Sequence, residues 1–159
     1  MDEASRDVAR RVREKARTLY FGKEVPHRSC GIALAECFGL PTRPYQSLRK
    51  GGVTGEGTCG AVVAGQLVLG ELLGDPDPTG PLTPALRSAM ESYLAKVRAR
   101  IRRGGSATLV CNDLTGQFPV FQSEERLGFC TDIVATVAEA VAEALLEHGL
   151  PVAVAPIAR

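Results

Sequence analysis

Residues 57–74, GTCGAVVAGQLVLGELLG, form a long apolar run that is rich in small side chains. Thr58 is a suitable N-cap, which predicts a helix over about residues 59–73. Glycine inside a helix costs about 1 kcal/mol relative to alanine. The small residues near the start of this helix, Gly60 and Gly65 among them, therefore indicate that another backbone or a cofactor approaches it closely.

Four further segments have the periodicity and the end signals of helices. Apolar residues from Ala4 to Leu19 recur every three or four positions, and this helix should end near Gly22. The others are predicted over about residues 30–38, 84–103 and from 130 or 131 to 148, with a short helical turn near 45–49. Residues 107–110 are read as buried extended chain without a partner strand. We therefore predict an all-α, four- to five-helix bundle with long cysteine-bearing loops, and less than about a tenth of residues in strand.

The length of the chain and its net charge restrict the number of domains and the classes of binding partner. The 159 residues suggest a single domain, 1–159. Nineteen Lys and Arg against 18 Asp and Glu leave a net charge of +1, which gives no electrostatic footprint for nucleic acid or an anionic membrane. The chain starts with a charged helix and not a signal peptide, and its longest apolar stretch is too short to span a bilayer. We expect a soluble, cytoplasmic protein.

Five cysteines in a reducing compartment favour metal binding or redox chemistry over structural disulfides. Four of them follow the spacing C-x28-C-x51-C-x18-C, and each is predicted where a loop ends and a helix begins: Cys30, Cys59, Cys111 and Cys130. Unpaired N–H groups and the positive end of the helix dipole favour the thiolate form there. Thiolates bind soft metals and attack electrophiles, so these four positions are the candidate site.

The other candidate residues give weaker indications of a functional role. Cys37, predicted in mid-helix, has two interpretations, core packing or a supporting role beside the site. His27 precedes Cys30 by three residues, and it either hydrogen-bonds a thiolate, ligates a metal or has no part in the site. Residues 51–57 lack the Gly-Lys-Ser/Thr ending of a phosphate loop. No nucleophile–base–acid arrangement stands out, so the sequence does not decide whether the protein is an enzyme.

The four cysteine segments, taken in order, resemble the C_GCAxxG_C_C family of redox-active proteins. The match is closest at Cys59-Gly60-Ala61, which follows a glycine-rich loop, and it continues through Cys111-Asn112-Asp113-Leu114-Thr115-Gly116. It spans about residues 29–147. Val63 stands where the family often has Thr or Ser, and Ala64 stands where it has Gly, so the closest backbone approach is expected at Gly65.

The resemblance implies a fold similar to the iron–sulfur part of split-Soret cytochromes, and hence a 2Fe–2S cluster used in electron transfer or redox sensing. Its metal and cofactor ligands would be Cys30, Cys59, Cys111 and Cys130. Three alternatives stay open: a zinc site, thiol–disulfide exchange between distant cysteines such as Cys59 and Cys111, and capture of a soft ion without turnover.

The redox partner is not identified. The apolar tail, 152–157, packs either on a second subunit in a homodimer, which we favour, or on its own bundle.

Overall fold

The computed structural model describes residues 1–158, which form six α-helices and one 3-10 helix, Arg43–Leu48. In chain order the α-helices are α1 (Glu3–Phe21), α2 (Cys30–Cys37), α3 (Gly60–Leu73), α4 (Pro84–Arg100), α5 (Cys111–Thr115) and α6 (Glu124–Glu147). The only extended pairing in these residues is an isolated antiparallel bridge between Thr58 and Val110. The all-α prediction is confirmed. The helix count exceeds the predicted four to five, because the short α5 and the 3-10 helix add to five longer helices.

Capping residues fix the ends of α1 and the start of α4. The Asp2 side chain accepts a hydrogen bond from the Ser5 N–H (2.8 Å), and Gly22 closes α1 with φ +74°. The Thr83 hydroxyl accepts from the Leu86 N–H (3.1 Å) at the start of α4. These boundaries agree with the prediction. α4, however, ends at Arg100 and not at 103, because Ile101 is extended and buries its side chain.

α6 begins six residues before the predicted start. The Ser123 hydroxyl accepts a hydrogen bond from the Arg126 N–H (3.2 Å) and caps a helix that continues through Gly128. A Cβ at Gly128 would meet nothing within 4 Å, so this glycine serves neither a turn nor a close contact. Cys130 therefore lies in the second turn of a helix and not at its start, which corrects the prediction for that cysteine.

α6 is the centre of the fold and contacts α1, α2, α3 and α4. Between Thr131 and Leu145 every residue is buried except Asp132 and Glu139. These two carboxylates face arginines of α1: Arg13 lies 2.9 Å from Glu139 and 3.2 Å from Asp132. The polar stripe of α6 is thus paired with α1, while its apolar faces are covered by the other helices.

The glycines of α3 allow a side chain and a backbone segment to contact this helix closely. At Gly65 an ideal Cβ would lie 2.3 Å from the Tyr93 hydroxyl of α4, which donates a hydrogen bond to the Val62 carbonyl (2.8 Å). At Gly60 a Cβ would lie 2.0 Å from the Leu48 carbonyl oxygen. The predicted close approach is therefore real. At Gly65, however, the approaching group is an aromatic side chain and not a backbone or a cofactor.

Residues 107–110 do have a partner, contrary to the prediction. The Cys59 N–H donates to the Leu109 carbonyl (2.7 Å), and the Cys111 N–H donates to the Gly57 carbonyl (2.9 Å). These two bonds flank the Thr58–Val110 bridge. Thr58 is therefore extended, and Cys59 takes the N-cap position of α3 that was predicted for Thr58.

The C-terminal tail packs on its own bundle. Val152, Val154 and Ile157 are partly buried against the core. The homodimer stays a prediction.

No helix within residues 1–158 is both long enough and apolar enough to cross a membrane.

Gly65→Ala should lower the free energy of unfolding by about 1–3 kcal/mol, because the new methyl group collides with the buried Tyr93 ring. Gly70→Ala is the matched control on the same helix, since a Cβ there meets nothing within 4 Å. It should raise stability by up to about 1 kcal/mol through helix propensity. Urea unfolding of both variants measures this, and equal effects would contradict the tight contact at Gly65.

Candidate functional site

Cys30, Cys59, Cys111 and Cys130 line one cavity of about 210 Å³. Each comes from a different element. Cys30 is the first residue of α2, Cys59 is the N-cap of α3, Cys111 is the first residue of α5, and Cys130 lies inside α6. Three of the four therefore lie at helix starts, as predicted, and all four face a shared space. Their role as ligands stays a prediction.

The antiparallel bridge sets the spacing of Cys59 and Cys111. Each follows a bridged residue, Thr58 or Val110, so the two side chains are diagonal neighbours on the same face. The bridge therefore directs both thiols to one cavity. Diagonal neighbours in a regular antiparallel pair lie about 7–8 Å apart, which is at the limit of about 7 Å between Cα atoms for a disulfide.

Two glycines allow the backbone to lie directly against cysteines of the cavity. A Cβ at Gly60 would lie 2.7 Å from the Cys30 sulfur, and a Cβ at Gly51 would lie 2.4 Å from Cβ of Cys111. The Cys30 thiol donates to the Leu48 carbonyl at 3.7 Å. Ser29 is the N-cap of α2, as predicted, but its hydroxyl makes no capping bond. This hydroxyl is buried without a hydrogen-bond partner within the described residues, and Ser29 lines the cavity.

Tyr20 and Arg126 form the wall next to Cys130. Tyr20 is buried at the end of α1, and its hydroxyl accepts a hydrogen bond from Arg126 Nη1 at 3.1 Å. His27 also lines the cavity and packs edge-on against the Tyr20 ring at 4.8 Å between centroids. Its Nδ1 contacts the Tyr20 carbonyl oxygen, so this ring nitrogen is already engaged with the backbone.

Burial affects the pKa of the thiols more than the position at a helix start does. It raises the pKa of all four cysteines, that of Cys59 to about 12 and that of Cys111 to about 11. Backbone N–H groups at the starts of α2 and α3 do lower the pKa of Cys30 and Cys59, as expected from their positions, but by less than burial raises it. The helix-start effect therefore acts in the predicted direction at Cys30 and Cys59, but burial opposes it and raises the pKa of both thiols.

Cys37 lies outside this group. It ends α2, about 10 Å along the helix axis from Cys30. Its side chain is buried in the core, and it lines a different cavity, beside Lys15 and Val152. This position supports the core-packing interpretation over a role beside the four thiols.

No three His, Cys, Asp or Glu side chains within residues 1–158 lie close enough together to hold a single metal ion. The four thiols instead surround the cavity, whose inner wall includes Leu114, Ile133 and Val134. The arrangement can enclose a group larger than one ion, and it limits access of water to that group.

Sequence reasoning missed five residues that line the cavity: Tyr20, Arg49, Lys50, Phe121 and Arg126. Tyr20 and Arg126 are 106 positions apart, so no local pattern joins them. The sequence did contain one indication of these residues. Lys50 directly precedes the glycine-rich loop and Arg126 precedes the fourth cysteine, and a cation close to a thiol favours its thiolate form.

Alkylation of the metal-free, reduced protein should reveal the raised pKa values. At pH 8 the thiolate fraction of Cys111 should be about 100-fold below that of an ordinary thiol, since its pKa is about 11 against 9.0. Its rate with iodoacetamide should therefore keep rising above about pH 10, where an ordinary thiol levels off. Mass spectrometry of the modified peptide measures this rate, with urea-unfolded protein as the control. A plateau at or below about pH 10 would contradict the burial effect.

Comparison with known proteins gives one finding. Residues 28–144 match the model of a family described as "Putative redox-active protein (C_GCAxxG_C_C)". The searches of characterised proteins and of solved structures gave no significant match. The matched region includes all four cavity cysteines and most of the chain. The chain therefore belongs to the C_GCAxxG_C_C family of redox-active proteins.

Proposed function

We propose that this protein transfers electrons or senses redox state through a 2Fe–2S cluster held by Cys30, Cys59, Cys111 and Cys130. The observation that carries the proposal is that four thiols from four separate segments line one cavity. Four cysteine thiolates are the ordinary donor set of such clusters. When bound, the cluster supplies a one-electron carrier.

The chemistry of the cavity fits this group. Cys59 and Cys111 are diagonal and not directly opposed across the bridge, as expected for two ligands of a group larger than one ion. The buried Ser29 hydroxyl has no protein partner in the described residues, so it is free to donate a hydrogen bond to a sulfur atom. The Gly60 backbone lies against the Cys30 sulfur, where any side chain would collide.

The surrounding residues have separate roles in this proposal. N–H groups at the starts of α2 and α3 stabilise negative charge on Cys30 and Cys59. Arg126 and Lys50 place positive charge near Cys111, and Arg126 does so near Cys130. Leu114, Ile133 and Val134 exclude water from the inner wall.

A zinc site and thiol exchange are the alternatives. Structural zinc binds four ligands at about 2.0–2.3 Å. The cavity walls would have to move inward to reach that geometry. Exchange between Cys59 and Cys111 would join diagonal neighbours of the bridge, which lie at the limit of disulfide distance.

Protein purified without oxygen, or reconstituted with iron and sulfide, should be coloured and contain iron and sulfide in equal amounts. It should bleach on reduction. Cys59→Ser should abolish the visible spectrum, because one of the four ligands is lost. Cys37→Ser is the matched control and should retain the spectrum, since Cys37 does not line the cavity.

Two results would overturn the proposal. Colourless anaerobic protein with stoichiometric zinc would establish a structural metal site. Metal-free protein that forms a Cys59–Cys111 disulfide reversibly would establish thiol exchange.

A further inference from the structure

The charged side chains that line the thiol cavity are all cations. They are Arg49, Lys50 and Arg126, and no carboxylate among the described residues lines it. The chain as a whole is nearly neutral, at +1, so this is a local excess of positive charge. None of the three cations forms an ion pair with a carboxylate of the described residues, whereas Arg13, Arg28 and other cations of the bundle do.

Phe121 lies between two of these cations at the outer edge of the cavity. Its ring centroid is 5.2 Å from Lys50 Nζ and 4.3 Å from Arg126 Cζ. Arg126 is also fixed by its hydrogen bond to the Tyr20 hydroxyl. The Phe121 side chain is still 37% exposed, and its neighbour Val120 is 57% exposed. We call the surface formed by Arg49, Lys50, Phe121 and Arg126 the cationic mouth.

A left-handed turn holds Lys50 in the cationic mouth. Lys50 has φ +50° and Val53 has φ +73°, with two glycines of positive φ between them. The Val53 N–H donates to the Arg49 carbonyl and closes the turn. Left-handed backbone costs about 1–2 kcal/mol at a non-glycine residue, and most for a β-branched one such as valine. Such strain concentrates at functional sites, and here it brings a lysine to the entrance of the thiols.

We infer that the cationic mouth is the docking surface for a carboxylate-rich protein that exchanges electrons with the thiol site. This inference rests on the proposed function. The charge of the surface is complementary to acidic side chains, which would speed encounter by electrostatic steering. Arginine and aromatic residues are enriched in protein interfaces. Phe121 lies at the edge of the cavity and is still partly exposed, while the exposed Val120 does not line the cavity. A protein surface can contact both residues, whereas a small anion in the cavity does not contact Val120.

Stopped-flow kinetics of the coloured protein tests this inference with two protein probes of opposite charge. Acidic, fully reduced flavodoxin gives one electron to the oxidised site, and basic cytochrome c takes one electron from the reduced site. The flavodoxin rate should fall on the order of tenfold in Lys50→Glu and in Arg49→Glu, and it should fall with added salt. The cytochrome c rate should not fall in Arg49→Glu, because Arg49 has no assigned role at the four thiols.

Arg98→Glu is the matched control. It makes the same charge change on the exposed face of α4, away from the cavity, and should leave both rates within about twofold of wild type. Only variants that keep the wild-type iron content and spectrum are compared. A fall of both rates in Arg49→Glu would indicate damage to the redox site and would overturn the docking surface. So would a flavodoxin rate that does not depend on Lys50, Arg49 or salt.

A third probe tests the small-anion alternative. If small anionic ferricyanide shows the Lys50 dependence and flavodoxin does not, the mouth selects small anions and the docking proposal is wrong.

A fourth measurement separates failure of the docking surface from failure of the cluster. If the protein is colourless, the metal-free thiols are modified with anionic and with cationic methanethiosulfonates. Faster modification by the anionic reagent, reversed in Lys50→Glu, would support the cationic mouth although the cluster proposal has failed. Equal rates would overturn the cationic mouth as well.

Discussion

The burial of α6 is the constraint on which the rest of the fold depends. From Thr131 to Leu145 this helix exposes almost nothing to solvent, so its apolar surface must be covered on several sides at once. α1, α2, α3 and α4 supply that cover. The only partly exposed positions in this stretch, Asp132 and Glu139, are paired with arginines of α1. The register of α1 on α6 follows from these pairs together with the apolar contact.

This central helix also joins the core to the site. Its first two turns extend beyond the buried segment and carry Arg126 and Cys130 into the cavity wall. α1, held against α6 in register, brings the Tyr20 hydroxyl to Arg126. A change in the packing of α1 on α6 would therefore move the wall of the site, although α1 contributes no cysteine to it.

The cavity combines two opposing electrostatic effects. Burial favours neutral thiols and raises the pKa of all four cysteines, and neighbouring cysteines raise it further at Cys30, Cys59 and Cys111. Helix-start N–H groups and the cations of the mouth favour negative charge in the same space. The second set is already in place in the folded chain, as the proposed cluster would require.

The sequence by itself determined the all-α class, the capped ends of α1, the start of α4, and the four cysteines that belong together. These are local features, since caps and 3.6-residue periodicity act within a few residues. Only the tertiary structure decided that α6 runs through Gly128, that residues 107–110 pair beside Cys59, and that Tyr20, Lys50 and Arg126 line the cavity. The physical reason is distance along the chain. Tyr20 and Arg126 meet across 106 positions, and the bridge joins Thr58 to Val110, so these contacts exist only after the helices have packed.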